Sequence, residues 1–214
     1  MNGRVALGFG ALAFFASFAG TCQPQATGQA PADFSVTDSR QLGFDDFKDT
    51  KATLVLAGTP IPVETKFVKE GDVRRLIFVV HGQEVDEERY RVSVNGLEFI
   101  GTRSETFEPA IMLAPLPFAA PRTSEWKGKW KTGPTEVEGG GPTEVEGEAT
   151  IEATPERINT VGGQFDAARI EIKLTMKVDD KDRRERTLKF WLVRDHGIVR
   201  RELGADSARE PAAK

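Results

Sequence analysis

Residues 170–178 read IEIKLTMKV. Ile170, Ile172, Leu174, Met176 and Val178 fall on one side of an extended chain, and Glu171, Lys173, Thr175 and Lys177 on the other, because successive side chains of a strand point to opposite faces. An apolar face backed by a charged one describes an antiparallel strand with one side packed and the other in water. The polar run 179–182 (DDKD) then turns the chain, and Leu188, Phe190 and Leu192 resume the apolar face. Residues 170–203 therefore read as a three-stranded meander. Its last turn is 194–197 (RDHG), with Gly197 in the positive-φ position.

The same signals recur upstream. Residues 53–57 (TLVLA), 73–80 (VRRLIFVV), 90–94 (YRVSV) and 97–100 (LEFI) are short and apolar or alternating. Asn95-Gly96, between the last two, predicts a two-residue hairpin turn with both residues at positive φ. Residues 42–51 hold a helical turn or two, and the Pro-rich 109–121 (PAIMLAPLPFAAP) reads as irregular. The expected fold class is all-β, mainly antiparallel: a curved sheet or half-barrel with little helix.

The N-terminus carries an address. Met1 to Arg4 make a short positive start, and residues 5–18 are a continuous apolar and small-residue run. Such a run is short for a bilayer span but fits the core of a secretory signal. The sequence FAGTCQPQ follows, and its cysteine, Cys22, is the only one in the chain. One cysteine excludes an intrachain disulfide and a Cys-rich zinc site. Small residues directly before it resemble the cleavage box of bacterial lipoproteins, although Ala19 and Thr21 depart from the usual pattern. The resemblance implies that Cys22 is lipidated and becomes a membrane anchor; the alternative is an ordinary secretory signal that contains a cysteine. Either route predicts an exported protein, periplasmic, outer-membrane-associated or secreted. Residues 1–21 are expected to be signal, 22–38 a Gln-, Pro- and Ala-rich tether, 39–204 the β-rich domain, and 205–214 a disordered tail.

Composition narrows the function classes. The 214 residues are 39% hydrophobic and 29% charged, with a net charge of −4. That is globular composition without a basic field, so nucleic acid is not an expected partner. One repeat is plain: GPTEVEG at 133–139 recurs at 141–147. It reads as a duplicated loop. A cation site built from Glu136, Glu138, Glu144, Glu146, Glu148 and Glu152 is the alternative, but the spacing of a calcium loop is missing.

Chemistry has few places to hide. No Gly-x-Ser-x-Gly, Walker or His-Glu-x-x-His pattern is present. His81 (VVHGQE) and His196 (VRDHGI) could join Glu84, Asp86 or Asp195 in a metal site of a hydrolase or metalloenzyme. Both precede a glycine at the end of an apolar run, where strands turn, and the turn role is preferred. No catalytic residue, metal or cofactor is assigned. The basic run 181–186 (KDRRER) with Arg200 and Arg201 is either a solvated hairpin end or a surface for anionic lipid. Trp126 and Trp130 share a strand face, as core or core rim, with an exposed platform as the alternative.

Residues 116–203 resemble a loose group of exported bacterial β-rich proteins of unknown function. Glu125-Trp126-Lys127-Gly128 with Trp130, the stretch from Gly163 through Phe165 to Ile170, and Trp191 to Arg200 with its Trp-x5-Gly-Ile-Val-Arg pattern carry the likeness. Arg194, Asp195 and His196 stand where the group has Pro, Gly and Val. The resemblance implies a curved antiparallel sheet, distantly like the half-barrels of lipoprotein carriers, in which Gly163, Phe165, Trp191 and Gly197 are structural. The function expected is a binding or structural role at the cell envelope. The alternative is a periplasmic carrier of an apolar or lipid ligand, lined by residues such as Leu174, Phe190 and Leu192.

Overall fold

The computed structural model describes residues 33–45, 50–56, 59–132, 144–160, 163–177, 183–203 and 207–211. The expected signal, Cys22, residues 23–32 of the tether, the first GPTEVEG copy and the DDKD turn lie outside these residues. No α-helix occurs among those described.

Fourteen strands follow in chain order: β1 (Phe34–Val36), β2 (Thr50–Leu56), β3 (Thr59–Glu70), β4 (Val73–Val80), β5 (Gln83–Ser93), β6 (Gly96–Thr102), β7 (Glu105–Pro115), β8 (Phe118–Ala120), β9 (Arg122–Thr132), β10 (Glu144–Thr160), β11 (Gly163–Lys177), β12 (Arg183–Val193), β13 (Gly197–Leu203) and β14 (Ser207–Pro211). All except β1 and β8 belong to one antiparallel sheet that curls until it meets itself, β7 pairing with β9 and β14 with β2. The curved antiparallel sheet expected from the sequence is thus continuous right round. Its thinnest seam is β13 to β14, joined at Arg201↔Arg209 and Glu202↔Ala208.

The meander that opened the sequence is β11, β12 and β13, with Ile170↔Phe190 and Leu192↔Ile198 directly opposite. In β11 and β12 the even-numbered residues face inward. Ile170, Ile172, Leu188, Phe190 and Leu192 are fully buried, and they join one core with Tyr90, Leu97, Phe99, Phe107 and Ile111. Ring contacts run through this core from Phe44 to Tyr90, Phe99 and Phe107, and on to Trp126, with centroid separations of 5.3, 5.5, 5.8 and 5.9 Å. Phe190 meets Phe99 at 5.0 Å. Large aromatic rings pack together in the interior beside β5, β6, β7, β9 and β12.

Several local expectations need correction. The hairpin turn with two positive-φ residues is His81-Gly82 (φ 51° and 79°), between β4 and β5. At Asn95-Gly96 the two-residue turn is shifted back by one: Ser93 pairs with Gly96, and only Gly96 has positive φ. A Cβ on Gly96 would lie 2.1 Å from the Ala114 carbonyl oxygen. A 3-10 turn lies at Ser39–Leu42, capped by Asp38 and Gly43, and residues 46–49 of the expected helical stretch lie outside the described residues. Residues 109–121 are strands β7 and β8 rather than irregular chain. The prolines fit because Pro109 lies in a stretch where β7 bulges away from β6, between Gly101↔Thr106 and Phe99↔Ile111, so its missing N–H breaks no ladder bond. The span 22–38 contains a core strand, with Phe34 and Val36 buried, and the span 205–214 contains β14.

The second GPTEVEG copy also differs from a loop, since Glu144 to Gly147 open β10. Glu144, Glu146 and Glu148 stand opposite Lys131, Lys129 and Lys127 on the outer face, and Val145 turns inward. Glutamates facing a lysine column do not form a cation cradle. The copies repeat every eight residues, an even number, so removing one repeat keeps the period-two phase of the sequence around it. Deleting residues 133–140 should therefore leave β10 intact and merely shorten its connection to β9. Thermal unfolding should move stability by no more than about 1 kcal/mol. A larger loss would show that both copies hold the fold.

Candidate functional site

Neighbouring strands are antiparallel all the way round, so they alternate in direction. The turns therefore divide between two ends of the barrel. One end carries the β3–β4, β5–β6 and β12–β13 turns and the β7–β9 connection that contains β8. The other carries the β4–β5 and β6–β7 turns.

The first end is capped. β1 pairs with β8, and Phe34, Val36, Leu42, Phe44, Phe118 and Ala120 join the barrel core from above. The RDHG turn clasps this cap. The Arg194 guanidinium donates from Nε and Nη2 to the Ser35 carbonyl at 3.1 and 2.6 Å, and the Asp195 N–H donates to the Gln41 carbonyl at 2.8 Å. Gly43 and Gly197, both at φ 75°, meet backbone to backbone. A Cβ on Gly43 would lie 2.2 Å from the Gly197 nitrogen, so only glycine fits there.

Near the second end, two ion pairs cross the interior. Arg201 of β13 pairs with Glu88 of β5, both essentially inaccessible to water, and the Tyr90 hydroxyl donates to Glu88. The Arg201 guanidinium also lies 5.2 Å from the Phe78 ring centroid and 3.6 Å from an Asp86 oxygen. Burial pushes the Asp86 carboxyl above its ordinary value, outweighing the attraction of Arg201. The second pair joins Arg186 of β12 to Glu105 of β7 at 2.6 Å, and the Trp130 indole N–H donates to the same oxygen at 2.8 Å. Buried charges need such partners, because an unpaired one would cost several kcal/mol. Asp86 and Glu88 both lie beside the Arg201 guanidinium. Glu88 is sealed under Arg201 and Tyr90, where a substrate cannot reach it, so the group acts as a tie rather than an acid–base pair.

The histidines do not meet. Five antiparallel steps, an odd number, separate β12 from β4, so the two strands run in opposite directions and the turns that follow them lie at opposite ends. The eight residues of β4 alone rise about 26 Å. A shared metal site for His81 and His196 is thereby excluded, since metal–nitrogen bonds are near 2 Å. His81 is a turn residue, and His196 packs edge-on to Phe165 at 5.4 Å. The carrier expectation is corrected as well. Leu174, Phe190 and Leu192 do not line a cavity; all three lie within the continuous packed core. Of the basic cluster, the side chains of 181–184 lie outside the described residues, while Arg186 and Arg201 point inward and Arg200 lies over Trp191. Trp126 and Trp130 are core and core rim; the Trp126 indole donates to the Pro109 carbonyl at 2.8 Å.

The remaining motif residues lie on the outer face. Trp191 is buried among Ile158, Ala167, Val193 and Val199, with half-buried Phe165 beside them. The Arg200 guanidinium covers its ring at 4.7 Å. Gly163 opens β11 at φ 127°, with open space where a Cβ would be.

Elsewhere the described outer face is strongly charged. Lys127, Lys129 and Lys131 of β9, glutamates of β10, and Glu171 and Lys173 of β11 form cross-strand columns, tied at Lys129–Glu144, Lys131–Glu144 and Lys173–Glu152. A barrel that spans a membrane turns an apolar band outward and keeps its polar groups inside. The described outer faces of β9, β10 and β11 carry these charged columns instead of such a band. An open cleft of about 590 Å³ lies over β5, β6, β7 and β9, lined by Arg91, Glu98, Thr106, Glu108 and Lys131 among others. Its charges are already matched, Arg91 with Glu98 and Lys131 with Glu108.

The fold and its polar ties define an antiparallel β-barrel capped at one end by β1 and β8 and crossed near the other by two ion pairs. No protein-family model matches the chain, and no curated protein matches it. Among solved structures it is similar to the hypothetical lipoprotein YmcC from Escherichia coli K12, with 14% identity and a TM-score of 0.46 over 76% of this chain and 87% of that one. It is also similar to a Bacteroides fragilis protein described as exported and YmcC-like in fold, at 10% identity and a TM-score of 0.39, covering 79% and 97%. A Parabacteroides distasonis protein described as a lipoprotein gives 11% identity and a TM-score of 0.40, covering 83% and 98%.

Proposed function

We propose that this chain is an exported β-barrel module held at the cell envelope through Cys22, with a binding or structural role exerted through its outer surface and ends. The observation that carries this reading is the packed core of the described residues. Packed aromatic rings and two cross-barrel ion pairs occupy the space a carried ligand would need. Export and anchoring are supported by the sequence: a positive start, an apolar run, small residues and then a lone cysteine. A lipid anchor makes a separate membrane-spanning element unnecessary, in keeping with a charged barrel wall.

Labelled-lipid incorporation with fractionation tests the anchor. Wild type should take up labelled acyl chain and sediment with membranes, and Cys22→Ala should lose both. Unlabelled, soluble wild type would refute it.

A further inference from the structure

We infer that the capped end of the barrel faces the bilayer, that the β5–β6 turn at Val94 is its contact with the lipid headgroup region, and that the opposite end is presented away from the membrane. This rests on the anchored reading above. It follows from where the chain enters the barrel and from what that end exposes.

Cys22 stands eleven residues before Asp33, the residue leading into β1. Eleven residues reach at most about 40 Å when fully extended. A lipid on Cys22 therefore keeps the entry point of β1 close to the membrane. That entry point is fixed to one end: β1 is paired with β8, its Ser35 carbonyl is held by Arg194, and Phe34 and Val36 are buried. The strand cannot swing to the other end without emptying part of the core. The anchor thus pulls on the capped end specifically.

That end also carries the apolar group best suited to a membrane surface. Two large apolar side chains are exposed among the described residues: Val94 at 86%, at the capped end, and Val85 at 46%, near the other. The turn at Val94 is braced, since the Asn95 carbonyl accepts from the Leu116 N–H at 2.9 Å, and exposed Pro117 follows directly. Val94 and Pro117 make a small apolar prominence of the kind that settles into the headgroup boundary. Arg40, Lys69, Arg122 and Arg194 are exposed at the same end, but Asp38, Asp45, Glu70, Asp72 and Asp195 balance them. Charge therefore contributes little to the docking; the tether and the prominence set the orientation.

Amide hydrogen exchange on the protein extracted from envelopes and reconstituted into phosphatidylethanolamine–phosphatidylglycerol vesicles tests this, with soluble Cys22→Ala as reference. Exchange in peptides covering 93–97 and 115–118 should slow at least ~3-fold on vesicles, while 81–85 and 103–105 stay unchanged. Val94→Asp, in an exposed turn, should keep the lipid by mass and lose the protection at 93–97. Lipidated protein that is protected at 81–85, or equally at both ends, overturns the orientation, as does protection that survives Val94→Asp. A chain whose mass shows no lipid overturns the anchor itself, and the two failures are told apart by that mass.

Discussion

Arg201→Met is expected to destabilise the protein by about 3–5 kcal/mol, the cost of leaving Glu88 buried without its partner. For a chain of this size, that corresponds to a fall in midpoint temperature of roughly 6–20 °C. The effect is large because the two residues join strands five neighbours apart through the thin β13–β14 seam, and neither can turn to water. The Tyr90 hydroxyl, which donates to Glu88, would be left holding a carboxylate with no cation beside it. The double variant Glu88→Leu with Arg201→Met should recover most of the loss, because an apolar pair of similar volume removes both buried charges. Calorimetry on the four proteins of that cycle checks this. If the double variant is as unstable as the single one, the pair supplies something an apolar contact cannot. Asp86 should respond with the opposite sign. Its carboxyl is raised in the folded protein, so the folded state holds the proton more tightly than the unfolded one. Its contribution favours folding at acid pH and is lost as pH rises from the ordinary carboxylate range through the raised value. Asp86→Asn should therefore be neutral or slightly stabilising near neutral pH.

These ties mark the boundary of what the sequence disclosed. Strict alternation at 170–178 and the matching run at 188–192 exposed the meander, because a sheet with one wet face writes its geometry into period two. The cross-barrel charges were visible only as breaks in that pattern. Glu88 shares its face with Tyr90 and Val92, Glu105 with Phe107, and Arg186 with Leu188 and Phe190, so each is a charge on an apolar face. Arg201 was hidden further by a bulge: the register slips between Trp191 and Leu192, so Val199 is an extra residue and the facing of β13 changes. Alternation cannot be followed across a bulge. Partner choice across an interior depends on how far the sheet curls, which no local pattern records. The prolines misled for a related reason. They look like breakers when counted, but Pro109 sits where β7 has no ladder bond to lose. The cap was missed because Phe34 and Val36 sit beside a Gln- and Pro-rich run, and three residues are too few to show a period.

Trp191→Ala should cost about 3–5 kcal/mol, in the range of large aromatic truncations in packed surroundings. The indole lies on the outer face of β12, opposite the core-facing Phe190 and Leu192, yet it is only 4% exposed. Its neighbours Ile158, Ala167, Val193 and Val199 come from four strands, β10 to β13, so the ring binds together the strands that carry the clasp for the cap. Removing it leaves Arg200 above an empty site where the guanidinium meets no ring face. Phenylalanine separates the two contributions. The indole N–H is buried and makes no hydrogen bond among the described residues, so Trp191→Phe loses volume without losing a donor's partner. That variant should cost about 1–2 kcal/mol, as it keeps an aromatic face under Arg200. Urea unfolding should show the alanine midpoint falling well below the phenylalanine one, with unchanged slope in both. An alanine variant within ~1 kcal/mol of wild type would mean that the outer cluster collapses around the gap. Trp191 would then be a surface residue shielded by Arg200, and the strength of the β10–β13 region would have to come from the inner core alone.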